Sequence, residues 1–417
     1  MHIIVNNVVS NKMYRNGIPM WDCGWKEPRD FNTPFYIEDI SGSVNTLSIV
    51  KSADGNPTLD IEYSTDLNTW NLLGSTSLEP LTLTIPANSK VYLRCECNAW
   101  NQNKISCSGN HNVGGNILSL QYGSSFNAQT EAKNSQYAFK GFMTNNTHVV
   151  NASKLNLPAT YKKGNGFENA FQGCTSLVSG PYMPTTLLYG GDYQGMFDGC
   201  SALTKVSDLP ITRGVWQGCR NMFRNCTSLV NPPVMDTSMT SVAYEAFENM
   251  FSGCTSLIKT PSITFDNMKA TAFIRGMFDG CTSLMDASGI IINASQLTFG
   301  DYEMRGAFRN CSSMTKPPTI NVGGIGANGA SNLFTGCSSL TSMVVTFTSV
   351  DAGGCGSMFD GCTSLSDVTC YITSGFGNCG NWMRNVAANG IFRKPAEATG
   401  WSEGASGIPT GWTVVDL

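Results

Sequence analysis

A Phe, a Cys and a Leu recur at fixed offsets through the second half of the chain, and this recurrence restricts the fold more than any other feature. Eight cysteines share one context: Cys174, Cys200, Cys226, Cys254, Cys281, Cys311, Cys337 and Cys362, separated by 26, 26, 28, 27, 30, 26 and 25 residues. Three positions before them stand Phe171, Phe197, Phe223, Phe251, Phe278, Phe308, Phe334 and Phe359. Three positions after them stand Leu177, Leu203, Leu229, Leu257, Leu284, Met314, Leu340 and Leu365. The unit reads [MAL]-F-x-[GN]-C-[ST]-[SA]-[LM]. A near-constant period of this kind marks a solenoid, whose repeats bury their core faces only against their neighbours.

The period lies at or just above the range of leucine-rich repeats, roughly 20–29 residues. Each coil is expected to carry one short strand, stacked in parallel on its neighbours about 4.8 Å apart. Any inward position then becomes a column of like side chains. The Phe and Leu columns fill the core. The Cys column calls for a small side chain that tolerates nearby backbone carbonyls, which a reduced thiol does, so these cysteines read as core rather than as disulfides or metal ligands. Tyr193, Cys219, Phe247, Ile274, Met304, Ala330 and Cys355, four positions before each Phe, form a further inward slot. Phe142-Met143-Thr144-Asn145-Asn146-Thr147 reads as a worn repeat with Asn145 in the Cys slot. Downstream, Met383 falls at the Phe position, and Phe392, Trp401 and Trp412 are placed to fold over the last coil.

The strings MFDGCSAL (196–203), MFRNCTSL (222–229), MFSGCTSL (250–257), MFDGCTSL (277–284) and MFDGCTSL (358–365) closely resemble the BspA-like leucine-rich repeats of bacterial surface proteins and of viruses infecting those bacteria. The flanks 115–123 and 407–412 also resemble that family. The resemblance implies a right-handed α/β solenoid with short parallel strands, acting in adhesion or recognition, and brings no catalytic residues with it. With caps, this region is expected to span 113–417.

Residues 36–112 lack the repeat and show strand-like alternation at 46–50, 59–63, 81–85 and 90–94, with turn clusters between; a small all-β sandwich is expected. Residues 1–35, with Trp21, Trp25 and Pro28, read as an attachment arm or as an ordinary extended edge segment.

Chemistry finds few candidates. The histidines are His2, His111 and His148, and no nucleophile elbow, phosphate loop or H-E-x-x-H is present. Cys95, Cys97, Cys107 and His111 could supply four zinc ligands, against a reading as buried thiols or a disulfide; the C-x-C spacing is weaker than paired C-x-x-C. Asp198, Asp279 and Asp360 recur just after the Phe, where a solvated turn is expected. A glycosidase pair is defined in space rather than along the chain, so 30 carboxylates leave a polysaccharide-cleaving enzyme as a third reading.

Charged residues are only 13% of the chain, against the usual ~25%, and the net charge of −4 gives no footprint for nucleic acid. No window approaches 18 apolar residues, so no membrane insertion is expected. The start, Met1-His2-Ile3-Ile4-Val5-Asn6-Asn7, lacks the features of a secretory signal. The resulting expectation is a non-catalytic virion appendage (tail fibre, spike or head fibre) without cofactors. It is expected to oligomerise with itself, to contact other virion proteins, and to recognise a host glycan or protein. A bacterial cell-surface adhesin is the alternative. Contacts are expected on the sheet face and loops, near Tyr182, Lys259 and Lys316.

Overall fold

A computed structural model of the chain describes residues 30–53, 55–133, 136–158, 163–184, 188–211, 214–235, 241–266 and 273–417, with 296–299 described by backbone alone. Before residue 30 only four two-residue strands are assigned, so the expected attachment arm lies largely outside the described residues. The chain forms two compact units, residues 1–186 with 202–210, and residues 187–201 with 211–417.

The first unit opens with β1 (Tyr36–Asp39), β2 (Asn45–Lys51), β3 (Asp60–Ser64), β4 (Asn71–Ser75), β5 (Leu81–Ile85), β6 (Lys90–Arg94), β7 (Asn103–Cys107), β8 (His111–Asn116) and β9 (Val149–Asn156). Two sheets result, one in the order β9-β8-β1-β6-β3-β4 and one in the order β7-β2-β5. Alternation sets which side chains go in: Leu47, Ile49, Ile61, Val91, Leu93 and Ile105 are fully buried. Strand β8 runs antiparallel to β1 and parallel to β9, so the boundary expected at residue 112 falls within β8.

The second unit carries parallel ladders. One sheet stacks β10 (Ile263–Asp266), β11 (Ile290–Phe299), β12 (Thr319–Ile325) and β14 (Ser349–Val350); the other stacks β13 (Ser342–Val345), β15 (Asp367–Cys370), β16 (Ile391–Lys394) and β17 (Thr413–Asp416). Like positions sit in register, as in Phe265↔Ile292↔Ile320.

The Phe/Cys motif does not lie on these strands. It forms a ribbon of tandem turns with two interleaved sets of hydrogen bonds. Around Phe197, the N–H groups of Met196, Asp198 and Cys200 donate to carbonyls three residues back. Those of Gly195, Phe197 and Gly199 donate instead to Arg220, Met222 and Arg224 of the next coil, at 2.8, 2.9 and 2.8 Å. Every fourth residue has a left-handed backbone, as at Asn221 (φ 56°) and Asn225 (φ 60°). A chain interrupted this often cannot sustain the i→i−4 bonds of a helix. The α/β expectation is therefore corrected to a mostly-strand solenoid: among the described residues the one α-helix is the four-residue Ser119–Tyr122.

The same geometry explains the [GN] slot, since Gly and Asn enter the left-handed region at least cost. Its alternation is steric. A Cβ at Gly253 would lie 2.4 Å from Oδ1 of Asn225 in the preceding coil, and one at Gly336 would lie 2.7 Å from Oδ1 of Asn310.

Inside the ribbon the rings from Phe197 to Phe359 stack with centroids 5.3–5.7 Å apart and planes within 3–16° of parallel. Beside them runs a thiol ladder: Cys226, Cys254, Cys281, Cys311, Cys337 and Cys362 each donate Sγ–H to the carbonyl of the preceding coil's Phe at 3.1–3.2 Å. That carbonyl also accepts the N–H of its own coil's Cys, as in Cys226 N to Phe223 O at 3.1 Å. All twenty-four Phe, Cys and Leu/Met side chains of the motif have 0% exposure.

The worn repeat sits one residue away from its expected register. Asn146, not Asn145, fills the Cys slot: it is 2% exposed and its Nδ2 donates to the Ile105 carbonyl, as the thiols do elsewhere. Asn145, at φ 61°, occupies the left-handed slot, and Cys174 donates to Met143 O at 3.1 Å. At the far end Trp382 stacks on Trp401 at 4.8 Å, and Phe376 and Phe392 pack edge-on against Trp401, closing the last coil.

Gly253→Ala is expected to lower stability by about 1–2 kcal/mol, because an L side chain resists a φ of +75°, with a further loss from the Asn225 contact. An Asn225→Gly background should recover only the steric part. Gly377→Ala, which meets nothing within 4 Å, should stay within about 0.5 kcal/mol of wild type. Denaturant unfolding of wild type, the three single variants and the double variant checks this, and equal losses at Gly253 and Gly377 would contradict it.

Candidate functional site

The four residues whose spacing suits zinc are not assembled into a metal centre. His111 is fully buried; its Nδ1 donates to Gly109 O at 2.9 Å, and its Nε2 faces the Asn146 amide at 3.1 Å, so neither nitrogen is left for a metal. Cys97 Sγ donates to Leu120 O at 3.1 Å. Burial pushes the Cys107 thiol up to about 12, with Asp39 adding to the shift. Among the described residues no group of three or more His, Cys, Asp or Glu could hold a metal ion. His148 is half-buried beside Thr147, and His2 lies outside the described residues.

The carboxylates expected in solvated turns are instead clamped between coils. Asp198 receives a fork from Arg224, Nε to Oδ1 at 3.0 Å and Nη2 to Oδ2 at 2.6 Å. Arg309 grips Asp279 and Arg384 grips Asp360 in the same two-pronged way. Bidentate pairs of this kind fix orientation as well as charge.

The outer sides of the coils hold further ladders. Lys259, Asp286 and Lys316 lie in parallel register, with Lys316 Nζ 3.2 Å from Asp286 Oδ2. A hydrogen bond from Ser288 is the main cause holding the Asp286 carboxyl below its ordinary range. On the β10–β12 sheet, Asn321 donates to Asn293 at 3.1 Å and Asn293 to Asp266 at 3.3 Å. A shallow depression of about 410 Å³ on the other sheet is lined by Pro317, Ser342, Met343, Val344, Asp367, Thr369 and Arg393, with Arg393 paired to Asp367. Tyr182, in the first unit, is half-buried and bridges in parallel to Asn156. Lys259 and Lys316 thus share one ladder of the second unit.

A family model for the BspA-type leucine-rich repeat region matches six copies within residues 135–252 and 196–366, more than half of the chain. The chain belongs to the BspA-type leucine-rich repeat family. No curated protein and no solved structure matches it.

Within its BspA-type repeats, sequence reasoning missed a set of exposed aromatics: Tyr189, Trp216, Tyr244 and Tyr302, each between 37% and 51% exposed. They lie six to eight residues before the motif Phe, at the start of the turn ribbon. The signal that could have found them was an aromatic residue recurring near one offset in coils whose inward slots were already filled.

The buried His111 generates a pH prediction. Desolvation is the leading cause lowering its pKa from 6.5 to about 4, and the Asn146 amide facing Nε2 leaves no room for a second proton. The unfolded chain therefore takes up a proton that the folded chain refuses. This contribution is fully present above pH 6.5 and is lost as the pH falls toward 4, by about 3 kcal/mol in all. The His111 imidazole resonances should stay unmoved from pH 8 down to 5; a titration centred near 6.5 would contradict the buried neutral ring.

Proposed function

We propose that this chain is a non-catalytic recognition protein of a virus particle, a tail fibre, spike or head fibre whose BspA-type repeats meet a host glycan or protein. Family membership supports the broader part of this reading, a repeat protein working at a surface. The recurring carboxylates support the non-catalytic part, because Asp198, Asp279 and Asp360 are tied up by arginine forks rather than paired for acid–base work.

The observation that favours a virion over an exported bacterial adhesin is the state of the thiols. Fifteen described cysteines are free, fourteen of them buried. A chain that folds in a reducing cytoplasm and leaves by lysis keeps such thiols reduced until the columns close. Export through an oxidising envelope would offer them disulfide partners first. On this reading the two amino-terminal sheets pack as a small sandwich at the attachment end, and the repeats self-associate beside other particle proteins.

Mass spectrometry of gradient-purified particles, with antibody labelling by electron microscopy, tests the assignment. The chain should copurify with the particle and label an appendage. Labelling of intact uninfected bacteria, with none in particles, would favour the adhesin. Release of reducing ends from host polysaccharide by the purified chain would overturn the non-catalytic reading.

A further inference from the structure

The second unit carries large exposed aromatics in three successive coils. Tyr189, Trp216 and Tyr244 are 43%, 51% and 46% exposed. Trp216 and Tyr244 hold the same coil position, because their carbonyls accept the equivalent N–H groups of Gly191 and Gln217, at 2.9 and 3.3 Å. Gly190 holds that position in the coil before. A Cβ there would come within 3.1 Å of the Trp216 ring, so the indole lies against bare glycine backbone next to Tyr189. Trp216 and Tyr244 thus occupy equivalent places on successive coils, with Tyr189 one residue before that place in the preceding coil, in a solenoid whose core rings here repeat every 5.4–5.5 Å.

Next to Trp216 and Tyr244 in the chain, Gln217 and Glu245 belong to a polar network. Gln217 Nε2 and Arg220 Nη1 both donate to Glu245 Oε2, at 2.8 and 2.9 Å, and Tyr244 shares a hydrogen bond with Glu245. Arg220 and Arg275 are each paired with glutamates, Glu245 and Glu248, so the patch holds charge in balance. An apolar protein partner would meet these polar groups at the centre of its interface, where charged residues are depleted. A pyranose ring matches both parts of the patch. Its C–H face stacks on an aromatic ring, and its hydroxyl edge bonds to the half-buried amide of Gln217 and guanidinium of Arg220, which keep further donors. One coil step is also close to the length of one hexopyranose residue in an extended chain.

We infer that Tyr189, Trp216 and Tyr244 form a stacking platform for a neutral pyranose glycan running across successive coils, with Gln217 and Arg220, both held by the buried Glu245, bonding its hydroxyls. The inference rests on the recognition reading above and names the class of ligand. Among the described residues the patch's arginines are each paired with glutamates, and this balance selects a neutral glycan over one carrying carboxylate or sulfate.

Native affinity electrophoresis of the full chain through gels containing soluble β-glucan, glucomannan, xyloglucan or galactan, with alginate and hyaluronan as acidic comparisons, tests it. At least one neutral polymer should retard the wild type. Trp216→Ala and Tyr244→Ala should each weaken retardation roughly tenfold, while Trp216→Phe keeps most of it. The unfolding midpoints of all three variants should stay near wild type, because the replaced rings are half in water. Retardation by acidic polymers alone, no retardation by any neutral polymer, or a Trp216→Ala variant that binds as wild type would overturn the platform. Binding to host surfaces separates the two readings. If the chain still binds after periodate destroys the surface glycans, and Trp216→Ala binds equally, recognition stands and the glycan platform falls. If wild type binds no host surface, treated or untreated, while a soluble neutral glucan retards it through Trp216, the platform stands and host recognition falls.

Discussion

A backbone carbonyl that accepts two hydrogen bonds holds each coil of the second unit to the next. The Phe223 oxygen takes the N–H of Cys226 within its own turn and the Sγ–H of Cys254 from the following coil, both at 3.1 Å. A buried carbonyl has two lone pairs to satisfy, and leaving one unmade inside the core is costly. The thiol completes the second bond from a side chain small and apolar enough to sit in a column of its own kind. Burial pushes these thiols up, Cys254 to about 12, so each stays protonated and remains a donor. Cysteine thus serves here as an apolar residue with one weak hydrogen bond to give.

The coil spacing follows from this contact together with the ring stack. Parallel rings 5.3–5.7 Å apart leave room for one side chain between backbones, and the Asn-over-Gly alternation shows how little room that is. On the outside the same spacing brings like positions of neighbouring coils within reach of one another. The arginine forks on Asp198, Asp279 and Asp360 and the Asp266–Asn293–Asn321 ladder are the outward counterparts of the inner columns. Pairs whose arginines stand partly in water add little energy singly, and their effect is to fix which side chains face outward together.

Much of this was legible because an inward column tolerates few residue types. Phe, Cys and Leu must recur, so the twenty-four core positions could be read without coordinates. The turn ribbon was not legible as such: Gly and Asn at every fourth position were visible in part, but only the hydrogen-bond pattern separates tandem turns from a short helix. The one-residue register error at Asn145 arose because Phe142 still packs edge-on against Phe171, at 5.3 Å, although Met143 holds the motif position in the backbone. The zinc spacing over Cys95, Cys97, Cys107 and His111 could not decide between ligands and buried thiols, because spacing carries no information about direction, and the His111 nitrogens turn to Gly109 and Asn146.

Outward positions escape the column rule, and there departures from uniformity carry the information. At the coil position of Trp216 and Tyr244 the later described coils place Asp301, Ala327 and Ala352, with the same ribbon beneath them. The scaffold therefore does not require an aromatic ring at this place, and folding gains little from rings left half in water. Core residues repeat because each must fit its neighbour in the next coil, whereas exposed rings that some coils carry and equivalent coils replace with Asp301, Ala327 or Ala352 answer to something outside the chain. Tyr189, Trp216 and Tyr244 are such rings, and a bound partner gives them a physical reason that packing does not.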